Sequence, residues 1–193
     1  IYGFLKPRQG KIYFNGSEIT HNSPHEIKQL GLSYIPQEFN VFPHMSVEEN
    51  LLMGAWIFRK DRSRVRQQMD YVYGLFPALY TFRKSKANTL SGGQQRMLSI
   101  AKEIMTSPRL ILVDEPSSGL SPKIAAEVYD LLMSTRQNLS AAILLVDHNM
   151  EAALELADYI YVVDMGKVRV HGPRQEFNLE RIKTIIQECL MGV

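Results

Sequence analysis

Two short apolar runs separated by one amphipathic helix constrain this chain more than any other feature. Residues 110–113 and 142–146 are continuous apolar runs, and helical periodicity extends between them from about residue 123 to residue 136. Continuous apolar runs of this length are typical of strands that are buried on both faces of a parallel sheet. The order strand, helix, strand predicts a βαβ unit, in which both strands end at the same edge of the sheet.

The start of the helix in this unit is marked by Ser121 and Pro122. Serine caps helix N-termini, and proline fits the first helical position, where an amide would have no partner within the helix. One apolar side of the predicted helix is formed by Ile124, Val128, Leu131 and Leu132. We expect this side to pack against the sheet.

Turn residues mark two antiparallel parts of the chain. Asn15-Gly16 lies between two β-prone runs near the start, and Met165-Gly166-Lys167 lies between two such runs towards the end. Glycine, and asparagine before it, accept the positive φ angles of a tight hairpin turn. We therefore expect a hairpin at each place, and a further strand over residues 32–35 that ends before Pro36.

A helical pattern follows the first strands. It begins at Ser46, and Glu49 three residues later can form a reciprocal cap with that serine. We expect an α/β fold, in which residues 44–107 form a helical subdomain. Residues 1–43 and 108–193 would form the core, with the parallel sheet and a small antiparallel β part at the N-terminus.

The sharpest local feature is the run Leu-Ser-Gly-Gly-Gln-Gln-Arg at residues 90–96, directly before a helical pattern. Ser91 and Gln94 can form a capping box at the start of that helix, while Gly92 and Gly93 leave its first amides uncovered. Exposed amides at the positive end of a helix dipole bind anions. The run therefore predicts a phosphate site formed by these four residues.

Asp114 and Glu115 follow the apolar run at 110–113, at the carboxyl edge of the predicted sheet. Open α/β sheets bind ligands at that edge. Successive side chains of a strand point to opposite faces, so the two carboxylates have different roles. We expect Asp114 to bind Mg²⁺ and Glu115 to orient or polarise the water that attacks a terminal phosphate.

Two more polar residues follow strands of the same sheet. His148 comes shortly after the run at 142–146, and the βαβ connection predicts that it approaches Glu115. Its imidazole can donate a hydrogen bond to a phosphate oxygen or fix the attacking water. Gln37 follows its own strand, and its amide can meet a metal-bound water. We expect Glu115, His148 and Gln37 to be catalytic residues. Gln37 would also join Asp114 in the Mg²⁺ shell.

Taken in chain order, these features resemble the motif series of the ABC ATPase family. The series has a Q-loop at Gln37, a signature at 90–96, a Walker B motif at 110–116, a D-loop at 118–122 and an H-loop at His148. The resemblance covers essentially the whole chain, and five motifs do not readily arise in this order by chance. It implies a P-loop NTPase-like fold with a RecA-like core, and ATP with Mg²⁺ as ligands.

The resemblance also implies a head-to-tail dimer that holds two ATP molecules between its subunits. Ser91, Gly92, Gly93 and Gln94 would then bind the ATP of the partner subunit. Closing on ATP and opening after hydrolysis would give a movement between two states. The partner would be an identical ATPase subunit or a sister subunit.

The phosphate-binding pattern G-x-x-x-x-G-K-[ST] is absent from the 193 residues. Gly10-Lys11 is followed by Ile12, and Gly166-Lys167 is followed by Val168. In the family, the residues that match 1–7 come directly after the P-loop helix. We therefore expect that the chain is N-terminally truncated, and that by itself it binds ATP weakly and is inactive as an ATPase.

Within the family, the runs at 48–54, 119–122 and 148–158 resemble the ATPase subunits of branched-chain amino acid importers. This implies separate transmembrane permease subunits, which would dock on the helical insert and the Gln37 loop. The permease and a binding protein would choose the substrate. Ser121 stands where many relatives have aspartate, a variation that the importer subgroup tolerates.

Composition and charge exclude several other classes. No apolar run approaches the roughly 18 residues of a membrane span, and the first residues lack the features of a secretory signal. A net charge of +2, from 22 basic and 20 acidic residues, gives no broad attraction to nucleic acid. Together with the permease subunits that the resemblance implies, these features predict a cytoplasmic protein that is bound peripherally to the inner face of the cell membrane and has no nucleic acid partner.

Two other functions fit the same motifs. A soluble ABC ATPase of repair or translation shares all of them, but such proteins usually have two tandem modules or long inserts. A non-hydrolysing regulatory module would suit the absent phosphate-binding pattern. The presence of Asp114, Glu115 and His148 together argues against that module.

Overall fold

The computed structural model describes residues 1–191 and has α/β architecture. Its strands are β1 Tyr13–Phe14, β2 Ser17–Glu18, β3 Leu32–Ile35, β4 Leu110–Asp114, β5 Ala142–Val146, β6 Tyr159–Asp164 and β7 Lys167–Pro173. Its α-helices are α1 Pro24–Gln29, α2 Val47–Gly54, α3 Arg62–Leu75, α4 Pro77–Thr81, α5 Gly92–Ile104, α6 Pro122–Leu139, α7 Met150–Leu156 and α8 Leu179–Met191. The chain divides into two units, Ile1–Leu145 and Val146–Val193.

The first unit is built around a sheet with the strand order β3-β4-β5. β3 and β4 are parallel, with Leu32 opposite Leu110. The amide of Ala142 donates to the carbonyl oxygen of Arg109 over 2.9 Å, so β4 and β5 start side by side and run in the same direction. The parallel βαβ unit predicted from the sequence is therefore present, and β3 extends it.

The burial of the two apolar strands differs. β4 is buried along its centre, as predicted, but β5 alternates between exposed and half-buried residues. Leu144 and Val146 are 41% and 58% exposed, whereas Ile143 and Leu145 pack on the main hydrophobic cluster. The prediction that both strands are buried on two faces is wrong for β5. This strand lies at the end of the sheet order and packs on the cluster through one face only.

Helices α2 to α5 occupy the segment that the sequence assigned to a helical subdomain. The main hydrophobic cluster of the first unit lies between these helices and the sheet, and α5 contributes Leu98, Ile100 and Ile104, all fully buried. Gly54 allows α2 to approach α5 closely, because a Cβ at this position would overlap the carbonyl oxygen of Lys102. The subdomain boundaries themselves stay a prediction.

Helix α6 begins at Pro122, as predicted, and extends to Leu139. Ser121 is its N-cap residue, but the serine side chain makes no capping hydrogen bond, so that part of the prediction is wrong. The fixed φ angle of proline favours the helix start without the hydroxyl. Val128 and Leu132 are buried on the side that the sequence predicted to be apolar.

Both predicted hairpins form. In the first unit, β1 and β2 are joined by Asn15 and Gly16, with φ angles of 47° and 78°. In the second unit, β6 and β7 are joined by Met165 and Gly166, with φ angles of 48° and 75°. Positive φ at both central residues matches the right-handed twist of paired strands. The second unit is completed by α7 and by α8, the final helix predicted from the sequence.

Candidate active site

The start of α5 carries the predicted capping box. The amide of Gln94 donates to Ser91 Oγ over 3.3 Å, and the amide of Ser91 donates to Gln94 Oε1 over 2.9 Å. The helix begins at Gly92 because the serine satisfies one amide of the first turn, while the glutamine satisfies the amide before it. The structure therefore confirms the local geometry that the sequence predicts at residues 91–94.

Two amides of this helix start remain available for a ligand. Within residues 1–191, the N–H groups of Gly92 and Gly93 have no hydrogen-bond acceptor. No acidic side chain lies in the first turn, and the nearest atoms to a Cβ placed on Gly92 would be 4.0 Å away. Unpaired amides at the positive end of a 13-residue helix make a suitable phosphate contact.

Gly93 differs from Gly92 in its surroundings. A Cβ on Gly93 would lie 2.9 Å from Cγ2 of Ile124 in α6. A side chain at this position would therefore force Ile124 to shift, so the close approach of two helices favours glycine there, in addition to any contact with a ligand. The sequence assigned one role to both glycines, whereas the packing gives Gly93 a second, structural role.

Asp114 and Glu115 lie at the carboxyl end of β4. Asp114 Oδ2 accepts a hydrogen bond of 3.1 Å from the hydroxyl of Tyr34 in β3. Burial, and then the nearby Asp114, raise the pKa of Tyr34, which therefore stays protonated and able to donate. Glu115 has a φ angle of +41°, which is uncommon for a non-glycine residue and is found repeatedly at functional sites.

Gln37 contacts the carboxylate that the sequence predicts to be catalytic. Its Nε2 donates to Glu115 Oε2 over 3.0 Å and to Ser118 Oγ over 3.2 Å. Gln37 lies just beyond β3 and Glu115 just beyond β4, so the parallel pairing of these strands brings the two side chains to one edge of the sheet. The structure thus brings Gln37, Asp114 and Glu115 together, and their chemical roles stay predictions.

The oxygen atoms at this edge suit a hard cation. Asp114 Oδ1 and Gln37 Oε1 make no hydrogen bond within the described residues, so each has lone pairs to offer. Mg²⁺ binds one or two carboxylates together with phosphate oxygens and water. The donor set at the ends of β3 and β4 therefore fits the predicted metal.

His148 belongs to the second unit. Its imidazole is exposed, and its Nδ1 lies 3.7 Å from Oδ1 of Asp147, whose side chain is fully buried. The same Asp147 oxygen accepts a hydrogen bond of 2.9 Å from the amide of Asn149, which fixes the turn before α7. The predicted approach of His148 to Glu115 stays a prediction.

Three residues at the site were missed from the sequence: Tyr34, Ser118 and Arg96. Tyr34 lies opposite Leu112 in the register of β3 and β4, so its contact with Asp114 depends on strand pairing that a linear motif does not contain. Ser118 lies inside the D-loop motif but was given no contact. Arg96 closes the signature run and contacts the Gln37 loop through its guanidinium group.

None of the helices in residues 1–191 is both long enough and apolar enough to cross a bilayer.

Comparison with known proteins agrees with this arrangement. The ABC transporter family model matches residues 1–118. A probable branched-chain amino acid transport ATP-binding protein LivF from Archaeoglobus fulgidus is 37% identical over 193 residues, which span 100% of this chain and 80% of the relative. A high-affinity branched-chain amino acid transport ATP-binding protein, BraG from Pseudomonas aeruginosa, is 37% identical over 89% of this chain and 72% of its own length.

Solved structures give the same result. A nucleotide-free ATP-binding cassette from an ABC transporter superimposes with a TM-score of 0.79 at 27% identity, over 97% of this chain and 77% of the other. A structure described as the ADP conformation of an ATP-binding cassette of an ABC transporter gives a TM-score of 0.80 at 26% identity, over 99% of this chain and 80% of the other. The chain therefore belongs to the ABC transporter family, and it is one of the ATP-binding subunits that hydrolyse ATP in the complete transporter.

Proposed function

We propose that this subunit powers the import of branched-chain amino acids. The names of the LivF and BraG relatives support this substrate class. Other relatives at 29–32% identity are named for xylose and arabinose import, lipopolysaccharide export and polyamine import. The substrate class therefore rests on the higher similarity to the first two, and the permease subunits would choose the solute.

The observation that carries the hydrolytic role is the contact between Gln37 and Glu115. A carboxylate at the end of a parallel strand, held by a neutral amide at 3.0 Å, can accept a hydrogen bond from a water molecule and orient it. Glu115 would orient the water that attacks the terminal phosphate, and Asp114 would bind Mg²⁺. The metal would neutralise charge that develops on the phosphate oxygens. His148 would donate a hydrogen bond to the same phosphate.

The open helix start supports a dimer. Ser91, Gly92, Gly93 and Gln94 would bind the phosphates of ATP held by a second ABC ATPase subunit, either identical or a sister subunit. Residues 44–107 would form the helical subdomain and residues 1–43 with 108–193 the ATPase core. Transmembrane permease subunits would hold this pair on the cytoplasmic face of the membrane, with no nucleic acid involved.

Glu115→Gln tests the hydrolytic role in the complete transporter. Glutamine keeps the shape of the side chain but cannot accept a proton, so we expect ATP turnover to fall by at least about a hundredfold. ATP binding would persist, and the closed dimer would accumulate. Steady-state ATPase rates measure the first effect, and the fraction of dimer in native mass spectrometry measures the second. Glu180→Gln, the same change at an exposed position in α8, should leave both unchanged, and full turnover in Glu115→Gln would remove Glu115 from the mechanism.

The substrate class needs a separate measurement. The complete transporter would be reconstituted in vesicles, and uptake of labelled leucine, xylose and spermidine would be compared in the presence of ATP. Uptake of leucine alone would support the proposal. ATP-driven uptake of xylose or spermidine without leucine would contradict it and leave the ATPase role standing.

A further inference from the structure

Arg96 is a buried cation on the face of α5 that meets the Gln37 loop. Its side chain is fully buried, and within the described residues no acidic side chain forms an ion pair with it. Nη1 donates to the carbonyl oxygen of Pro36 over 2.8 Å, and Nη2 donates to the carbonyl oxygen of Gln37. The guanidinium carbon lies 5.0 Å from the centre of the Phe39 ring. One residue of the signature helix therefore holds the loop by two backbone carbonyls and one ring.

The burial of this guanidinium is unfavourable for folding taken by itself. Desolvation lowers the pKa of Arg96, and its Nε has no hydrogen-bond partner. An apolar residue of similar volume would avoid that desolvation and can be neutral or stabilising in such positions. The presence of Arg96 at this position is therefore better explained by the two backbone carbonyl groups that its planar guanidinium holds in place than by a contribution to stability.

The same face of α5 also holds the far end of the loop. Ser99 Oγ donates to Asn40 Oδ1 over 2.5 Å, and Lys102 donates to the carbonyl oxygen of Asn40. Asn40 Nδ2 in turn donates to Glu103 Oε1 over 3.0 Å. Ser99 follows Arg96 by three residues, and Lys102 and Glu103 follow Ser99 by three and four, so the four side chains form one polar stripe along the helix. Residues 36–40 are thus fixed to α5 at both ends.

We propose that Arg96 is a positioning residue for hydrolysis. It links the start of the signature helix to the side-chain amide of Gln37, which donates a hydrogen bond to Glu115. This inference rests on the roles of Glu115 and Gln37 in the proposed function. Arg96 holds the backbone of Gln37, and the side chain of the same residue donates to Glu115 over 3.0 Å. A displacement of the α5 start therefore moves the Gln37 amide relative to the carboxylate.

Two substitutions separate positioning from folding. Arg96→Lys keeps the charge but has one ammonium group, which cannot reproduce the planar two-carbonyl contact. Arg96→Met removes the charge at similar volume. In the complete transporter we expect either change to lower kcat for ATP about tenfold, since small misplacements of reacting groups have effects up to about a hundredfold. The KM for ATP should stay within about twofold, and the Tm of Arg96→Met should not fall by more than a few degrees.

Leu98→Ala is the matched structural control on the same helix. Leu98 is also fully buried, but it packs in the main hydrophobic cluster. Its truncation should lower Tm more than either change at Arg96, while kcat at a temperature where the protein is folded stays near the wild-type value. A fall in kcat that simply follows Tm across all three variants would overturn the proposal.

A double-mutant cycle with Gln37→Ala gives the deciding readout. If Arg96 acts through Gln37, Arg96→Lys should have little further effect on kcat once Gln37 is alanine. Multiplied effects in the double variant, or an unchanged kcat in Arg96→Lys, would overturn the positioning role. Glu115→Gln in the same preparation separates the two proposals. If Glu115→Gln loses turnover while the effects of the changes at residues 37 and 96 on kcat multiply, the hydrolytic role of Glu115 stands and only the positioning role of Arg96 fails. If Glu115→Gln keeps full turnover, both proposals fail.

Discussion

The starts of α2 and α5 have the same cap but different surroundings. Each begins after a serine whose hydroxyl accepts from the third amide of the helix, and the third side chain accepts from the serine amide in return. The pairs are Ser46 with Glu49 and Ser91 with Gln94. Judged by the cap alone, the two helix starts are equivalent.

The start of α2 is closed by the protein itself. The amide of Val47 donates to the carbonyl oxygen of Ser85 and that of Glu48 to the carbonyl oxygen of Arg83, each over 3.0 Å. The side chain of Val47 is fully buried. Glu49 also places a carboxylate at the positive end of the helix, where it is favourable. This helix start has no free amide and needs no external anion.

The start of α5 is left open. Gly92 and Gly93 occupy the positions of Val47 and Glu48, and within residues 1–191 their amides have no acceptor. The capping side chain is the neutral Gln94. A cap thus fixes where a helix begins, but the neighbouring loops decide whether its dipole is satisfied internally or by a ligand.

The largest expected effect comes from giving α5 the acidic first turn that α2 has. Gly92→Asp places a carboxylate where the phosphate would bind, and we expect ATP turnover of the complete transporter to fall about a hundredfold. Stability should be unchanged or slightly raised, because an acidic residue favours a helix N-terminus. ATPase rates and thermal unfolding measure the two effects.

Val47→Ala is the counterpart at the same helix position of α2. Removal of a buried side chain there should destabilise the protein by about 2 kcal/mol, while turnover of the folded protein is retained. Wild-type turnover in Gly92→Asp would contradict the interpretation of α5 as an anion site. A loss of turnover in Val47→Ala under folding conditions would contradict the separation of the two helix starts.

The two capping serines give a smaller effect. Ser46→Ala and Ser91→Ala should each destabilise the protein by about 1 kcal/mol, since each removes the hydroxyl that accepts from the third amide of its helix. Only Ser91→Ala should also lower kcat/KM for ATP, by roughly tenfold, the value of one lost hydrogen bond to a charged group. Equal ATPase activity in both variants would show that the Ser91 hydroxyl serves the helix alone.

The smallest effect is the pH dependence of the α2 cap. The pKa of Glu49 is lowered by the hydrogen bonds from the backbone and side chain of Ser46. The ionised Glu49 therefore stabilises the folded protein fully above the ordinary carboxyl pKa, and this stabilisation is lost as the pH falls through the lowered pKa. Glu49→Gln gives α2 the neutral cap of α5, so its Tm should be below that of wild type at neutral pH and converge with it in acid. A Tm difference between Glu49→Gln and wild type that does not change with pH would contradict the stabilising role of the Glu49 carboxylate.

Much of the fold could be predicted because its signals are local. The hairpin at Asn15 depends on a turn dipeptide, the start of α5 on a capping box, and β4 on a continuous apolar run. The environment of β5 could not be predicted in the same way. Its apolar run resembles that of β4, but the exposure of Leu144 and Val146 depends on which strands and helices lie beside it.

The site, like the fold, could be predicted only in part. Gln37, Asp114 and Glu115 could be identified because polar residues at the carboxyl ends of parallel strands meet at one edge of the sheet. The contacts of Tyr34 and Arg96 could not, since Tyr34 reaches Asp114 across the strand register and Arg96 binds backbone carbonyls about 60 residues away. A backbone carbonyl leaves no trace in the sequence, because every residue has one.

The sequence by itself determined the order of the elements, the capped start of α5, the carboxylates at the end of β4 and the family. All of these depend on spacing along the chain, through turn preference, helix capping and apolar periodicity. Only the tertiary structure decided that the start of α2 is closed while that of α5 is open, and that Arg96 joins the signature helix to the Gln37 loop. These are contacts between distant segments, and packing alone sets which amides, carbonyls and charges find a partner.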